Sequence, residues 1–174
     1  MNPTVSLSPV TEDDFDSFFD RLRTSFTEAA RSKFPDFLGS VPAKRDLDEA
    51  LDDPTAEMFD ITSDGHSVGG AVITGGETHK TLEFIFIDPD QQNLHLGQAA
   101  WQEIEARYPN AQVWELVTAY HEKRNIHFYV NKCGFHIVEY FNKYHEDPDF
   151  SQEDAADDYP GSDDGLFRFE KVLK

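Results

Sequence analysis

Apolar residues change spacing several times along the chain, and each change marks a predicted element. In TEDDFDSFFDRLRTSFTEAA the residues Phe15, Phe18, Phe19, Leu22 and Phe26 recur at helical intervals, after a Thr11 cap with Asp14 three residues on. Ahead of it, TVSLSPV alternates as a first strand. FPDFLGSVP breaks the helix, and AKRDLDEALDD predicts a second, shorter one that stops before Pro54. AEMFDIT, HSVGGAVIT and TLEFIFID then follow, joined by the short turns SDG and GGETHK, which is the pattern of an antiparallel meander. The last of these strands is almost wholly apolar, as a strand covered on both faces should be.

Beyond that strand the order changes. A polar bend, DPDQQNLH, leads into a helix predicted over residues 96–108. Then come a stop at YPN, a strand QVWELVT, a helix KRNIHFYVNKC ended by Gly134, and a strand FHIVEYFNKY. Strand, helix, strand, helix, strand is the mark of crossover units. An acidic stretch with Pro and Gly follows, read as a loop or disordered insertion over 145–165, and LFRFEKVL supplies a final strand. The expected fold is therefore α/β (α+β), a mixed central sheet with an antiparallel N-terminal half, a crossover βαβαβ C-terminal half, and helices on both faces. At 174 residues with no shift in composition, a single domain, 1–174, is expected.

Charge narrows the partners. The chain has 34 acidic and 15 basic side chains, a formal net of −19, which argues against nucleic acid and anionic membrane, since both need clustered Lys and Arg. The acidity reads first as a solvated surface and second as an attraction for cations. A lone cysteine, Cys133, allows no intramolecular disulfide and fits a reducing compartment. No run is long and apolar enough to span a membrane, so a cytoplasmic protein is expected. The histidines match no zinc-ligand spacing, so no metal is expected.

The bend is longer than a chain reversal needs. At the carboxyl end of a central strand and the start of a helix, it is where free amides and the helix dipole can hold an anion. Its residues resemble the acyl-CoA-binding signature of the GNAT N-acetyltransferase superfamily, an aliphatic-x-Pro strand end followed by Gln/Arg-x-x-Gly-x-Gly/Ala. Ile87 and Pro89 match the strand end, Gln92 the Gln/Arg, His95 the first Gly and Gly97 the second. His95 departs from the pattern, because a Cβ there narrows the approach to a pyrophosphate and asks for a rearranged turn. Downstream, Phe128-Tyr129 and Gly134-Phe135 resemble the family's closing aromatic-Tyr and Gly-Phe. Four residues separate Tyr129 from Gly134 where the family has three, so counting back from the glycine selects Val130 and counting along the helix selects Tyr129. The extra residue is expected in the helix C-cap. At the family's Asn position, seven residues before the Tyr, stands Glu122, with Asn125 one turn later.

The resemblance implies acetyl transfer from acetyl-CoA to a primary amine of a small molecule or peptide, by direct attack in a ternary complex. Amides from Leu94 through His95, Leu96 and Gly97 to Gln98 would hold the pyrophosphate, with Gln92 and Asn125 beside it. The strand backbone at Ile85 to Ile87 would hold the pantetheine arm or the carbonyl oxygen, Tyr129 would protonate or hydrogen-bond the sulfur, and Glu83, directly or through a water, would be the base. Glu83 is expected on the same strand face as Ile85 and Ile87. A cationic acceptor is expected from the charge, and a homodimer is a further partner in keeping with the resemblance. The alternative function is a catalytically silent acyl-CoA-binding or sensing module. Duller readings stand beside these: Tyr129 as a core tyrosine, Glu83 as a partner of Lys80, and Cys133 as a small buried hydrophobe.

Overall fold

In the computed structural model, residues 3–92, 95–149 and 165–173 are described. Leu94 and the acidic stretch with Asp157, Asp158, Asp163 and Asp164 lie outside them.

Seven strands form one sheet: β1 (Val5–Pro9), β2 (Glu57–Ser63), β3 (His66–Gly75), β4 (His79–Ile87), β5 (Val113–Ala119), β6 (His136–Phe141) and β7 (Leu166–Val172). Their order is β1-β2-β3-β4-β5-β7-β6. β1 to β4 are antiparallel neighbours and β4 pairs with β5 in parallel, so the meander and the first crossover are as the residue pattern predicts. The last strand inserts between β5 and β6, antiparallel to both, which hides the second crossover behind a strand made later in the chain.

Helices cover both faces. On one, α1 (Phe15–Lys33) and α2 (Lys44–Asp52) contribute Phe18, Leu22 and Leu47 to a cluster with Val72 and Phe86. On the other, α3 (Leu96–Arg107) sets Trp101 and Ile104 against Phe59, Ala71, Ile73, Leu82, Trp114, Leu116 and Phe169. Ala71, Val72 and Ile73 thus point alternately to the two layers, the period-two signature of a strand buried on both sides. Gly70 of β3 has no side chain because the rings of Phe18 and Phe86 occupy that space.

α1 starts later than the Thr11 cap predicts. Residues Glu12–Asp14 form a 3-10 turn first, and the Thr11 hydroxyl donates to the Asp14 carboxylate at 3.0 Å rather than to a helix amide. Among the described residues, no helix is long and apolar enough to cross a membrane.

Candidate active site

β4 and β5 touch only briefly. Their parallel ladder joins His79, Lys80 and Thr81 to Val113, Trp114 and Glu115, yet β4 runs on to Ile87 and β5 to Ala119. Each keeps its other neighbour throughout, Ile87 opposite Gly69 and Ala119 opposite Leu166. The two strands therefore part, and a wedge opens between their carboxyl ends, where the facing edges have no ladder partner among the described residues. Open sheets bind ligands at such places.

The bend lies at the mouth of this wedge. Pro89–Gln91 form a 3-10 turn, and the Gln92 side chain donates through Nε2 to the Ile87 carbonyl at 3.3 Å, folding the bend back on the strand end. Asp88 is gripped from α1: Arg21 Nη2 lies 2.7 Å from its Oδ2 and Arg21 Nε 3.3 Å from its Oδ1, while Nη1 reaches Asp60 at 3.0 Å. His95 caps α3 in the left-handed region, at φ 59° and ψ 18°. The position that the motif gives to glycine thus keeps a glycine's backbone while carrying an imidazole.

The first helical hydrogen bond of α3 runs from the Ala99 amide to the His95 carbonyl, so the amides of Leu96, Gly97 and Gln98 have no partner within the helix. No acidic residue stands in this first turn, whereas α1 and α2 carry Asp16 and Asp46 in theirs. In so acidic a chain, an unblocked positive helix end fits an anion such as the acyl-CoA pyrophosphate. Gly97 serves packing as well, because a Cβ there would stand 3.3 Å from the Phe128 ring. Gln98 reaches over to the Lys132 carbonyl at 3.3 Å. Arg124 was not singled out by the motif, but its Nη1 approaches Gln92 Oε1 at 3.4 Å, so a guanidinium stands beside the cradle. A basic residue opening α4 was the signal available for it.

The opposite wall is α4 (Lys123–His127), continued by a single π turn over Phe128–Lys132. The Cys133 amide bonds to the Phe128 carbonyl at 3.1 Å, one position beyond the α-helical span, and the Phe135 amide to the Tyr129 carbonyl at 3.0 Å, one position beyond the span of a Schellman ending. The extra residue between Tyr129 and Gly134 is therefore taken up in the π turn itself, one turn before the C-cap where it was expected. Gly134 closes the element at φ 83°. Tyr129 packs its ring on Phe128, Phe135 and Phe169. Burial first, then the neighbouring Cys133 and the Glu122 carboxylate, push its hydroxyl well above the ordinary tyrosine range, so it stays protonated. Val130 also packs against the core. Cys133 is buried, and burial pushes its thiol up to about 12, which leaves it an unreactive small hydrophobe. The Asn125 amide points to Glu122, Nδ2 to Oε2 at 3.5 Å.

Glu83 is placed differently from expectation. Val72 pairs with Phe84 and Ile73 with Leu82, so Glu83 is the extra residue of a β-bulge. Ile85 and Ile87 pack on the α3 side with Ile61, Val68, Leu96 and Ala100, whereas Glu83 accepts from Thr74 Oγ1 at 2.6 Å beside Asp53 at the end of α2. The bulge has thus turned Glu83 to the face opposite Ile85 and Ile87. Lys80 is not its partner, since that ammonium lies 4.5 Å over the Tyr108 ring. Glu83 as a residue opens to solvent, but its carboxyl end is crowded. Burial raises its pKa above the usual carboxylate range, the Thr74 bond opposes that, and the Asp53 charge adds to it.

A cavity of about 490 Å³ lies at the far end of α3, between Glu105, Tyr108, Cys133 and Lys171, and includes none of the candidate site residues. Among the described residues, no group of three His, Cys, Asp or Glu side chains is arranged to hold a metal.

Comparison with known proteins shows the family and the fold. The chain is 41% identical over 176 residues to the uncharacterised protein YrkN of Bacillus subtilis, covering 99% of this chain and 95% of that one. A Bacillus subtilis acetyltransferase solved in complex with CoA superposes with a TM-score of 0.65 at 18% identity, over 99% of this chain and 100% of that one. The spermidine N-acetyltransferase of Vibrio cholerae, solved with CoA and spermine, superposes with a TM-score of 0.67 at 13% identity, over 97% and 95% of the two chains. The family model of the acetyltransferase (GNAT) family matches residues 16–135, and the chain belongs to that family.

Proposed function

We propose that the protein is an N-acetyltransferase that moves the acetyl group of acetyl-CoA to a primary amine of a small molecule or peptide. The observation that carries this reading is the wedge between β4 and β5 with the open amino end of α3 at its mouth. The amides of Leu96, Gly97 and Gln98 hold the pyrophosphate, Gln92 and Arg124 flank it, and the free edge of β4 near Ile85 and Ile87 holds the pantetheine arm. Neighbours of the same fold have been solved with CoA, which supports CoA binding here.

In the transfer, the neutral amine attacks the thioester carbonyl, so a C–N bond forms and the C–S bond breaks. Glu83 takes the amine's proton directly or through one water, and its raised pKa makes it a stronger base than an ordinary carboxylate. Tyr129 gives its proton to the departing sulfur and recovers one from solvent. A net charge of −19 and the neighbouring carboxylates of Glu83 and Asp53, on the face opposite Ile85 and Ile87, favour a cationic amine. The buried single thiol fits a cytoplasmic location.

A second reading, an acyl-CoA-binding or sensing module without turnover, has one observation in its favour, the imidazole at the left-handed His95 position. Thiol release from acetyl-CoA against polyamines, aminoglycosides, amino acids and short peptides separates the two. Release that depends on one amine class supports the enzyme. Tight acetyl-CoA binding with no amine-dependent release supports the module.

A further inference from the structure

The wall that carries Tyr129 also carries an ionic contact that no step of the transfer uses. Lys33, the last residue of α1, reaches Glu122, Nζ to Oε2 at 2.6 Å, from 89 positions away. Glu122 stands immediately before α4 and seven residues before Tyr129, with its side chain only 13% exposed. His121 Nε2 lies 3.7 Å from its other oxygen, Asn125 Nδ2 stands 3.5 Å from Oε2, and the Phe34 ring meets His121 edge-on at 5.3 Å. The near end of α1 is anchored on the other wall through Arg21 and Asp88, so α1 presents one cation to each side of the wedge.

The chemistry gives this contact a purpose. Acetyl transfer develops negative charge on sulfur, and a half-buried carboxylate on the wall that must receive that charge opposes it, the more so where water is excluded. The Glu122 charge is already felt at the Tyr129 hydroxyl. We propose that Lys33 is a positioning residue for the acetyl-transfer step: by its contact with Glu122 it neutralises the carboxylate, so that the Tyr129 wall can support a departing thiolate. The effect falls on turnover, because the charge on sulfur is absent from the bound ground state. This inference rests on the proposed acetyltransferase function.

The test compares Lys33→Met, Lys33→Arg, Glu122→Gln and the Lys33→Met/Glu122→Gln double variant. Single-turnover thiol release with enzyme in excess over acetyl-CoA and saturating amine, calorimetric acetyl-CoA affinity and Tm are measured for each. Lys33→Met is expected to slow release about three- to tenfold, the scale of one partly screened charge, with affinity within about twofold. Lys33→Arg stays near wild type, and the double variant recovers to within about twofold because the carboxylate that Lys33 offset has been removed with it. Unchanged release in Lys33→Met overturns the proposal. So does a double variant as slow as Lys33→Met, which is what a purely architectural link between α1 and α4 would give. Wild-type turnover is decided by the amine panel alone, so failure of the function and failure of this inference are read from different measurements.

Discussion

Replacing His95 by glycine should make the protein more stable. The residue sits at φ 59°, where a side chain crowds the following carbonyl at a cost of about 1–2 kcal/mol, with histidine toward the lower end. Glycine removes that cost but adds about 0.5–1 kcal/mol of unfolded-state freedom. The net is a gain of ~0.5 kcal/mol, or about 1–2 °C in Tm for a chain of this size. Differential scanning calorimetry resolves such a shift. His95→Ala is the control, since it removes the ring and keeps the Cβ, and it should be no more stable than wild type. The same change opens the approach to the α3 amides, so acetyl-CoA affinity should rise about two- to fivefold in His95→Gly by closer pyrophosphate contact. A lower Tm for His95→Gly, or an equal gain in His95→Ala, would refute the backbone argument, because the imidazole and not the φ angle would then govern the position.

Tyr129→Phe keeps the packed ring and should lower turnover by roughly one to three orders of magnitude with acetyl-CoA affinity nearly unchanged, while Val130→Ala should lower Tm without a selective effect on rate. Full activity in Tyr129→Phe would remove the hydroxyl from the mechanism. In the proposed mechanism Glu83 is the deprotonated base, and its pKa is raised, so kcat/KM should climb with pH through a limb above the ordinary carboxylate range. Because the Thr74 bond opposes that rise, Thr74→Val should move the limb further up and Thr74→Ser should not. Gly97→Ala must displace the Phe128 ring from 3.3 Å, so acetyl-CoA affinity and Tm should fall together in calorimetry, and Gly97→Leu should be worse. An unaltered affinity in Gly97→Leu would sink the cradle.

Much of the fold was legible because local patterns carry it. The phenylalanine spacing of α1, the alternation around Ala71, Val72 and Ile73, and the Gly-containing turns of the meander are all written within a few residues of where they act. The placement of β7 between β5 and β6 was not legible, since it depends on pairing across a long connection that leaves no local trace. The same division holds in the site. The cradle is a contiguous motif, so Gln92, His95, Leu96, Gly97 and Gln98 fell together at the mouth of the wedge. Glu83 was assigned to the wrong face because a one-residue bulge reverses the alternation after it, and neither Glu83 nor Phe84 signals a bulge by type. The mismatch between Tyr129 and Gly134 was visible as a count, but only the backbone could show a π turn absorbing it. Arg124 and Lys33 reach their partners through long side chains from elements distant in sequence, beyond the range of any local pattern.

The central claim is that the acetyl group passes directly from the thioester to a cationic amine at the β4–β5 wedge. Incubation with acetyl-CoA labelled in the acetyl group, followed by mass analysis of the amine and titration of free thiol, tests it most directly. The account predicts one labelled amide for each thiol released, on a polyamine or another cationic amine, at a rate that falls as salt screens the acidic protein, the Debye length being about 10 Å at 0.1 M and shorter above it. Acetyl-CoA that binds yet labels no amine, or label that appears equally on neutral and anionic amines without salt dependence, would contradict it.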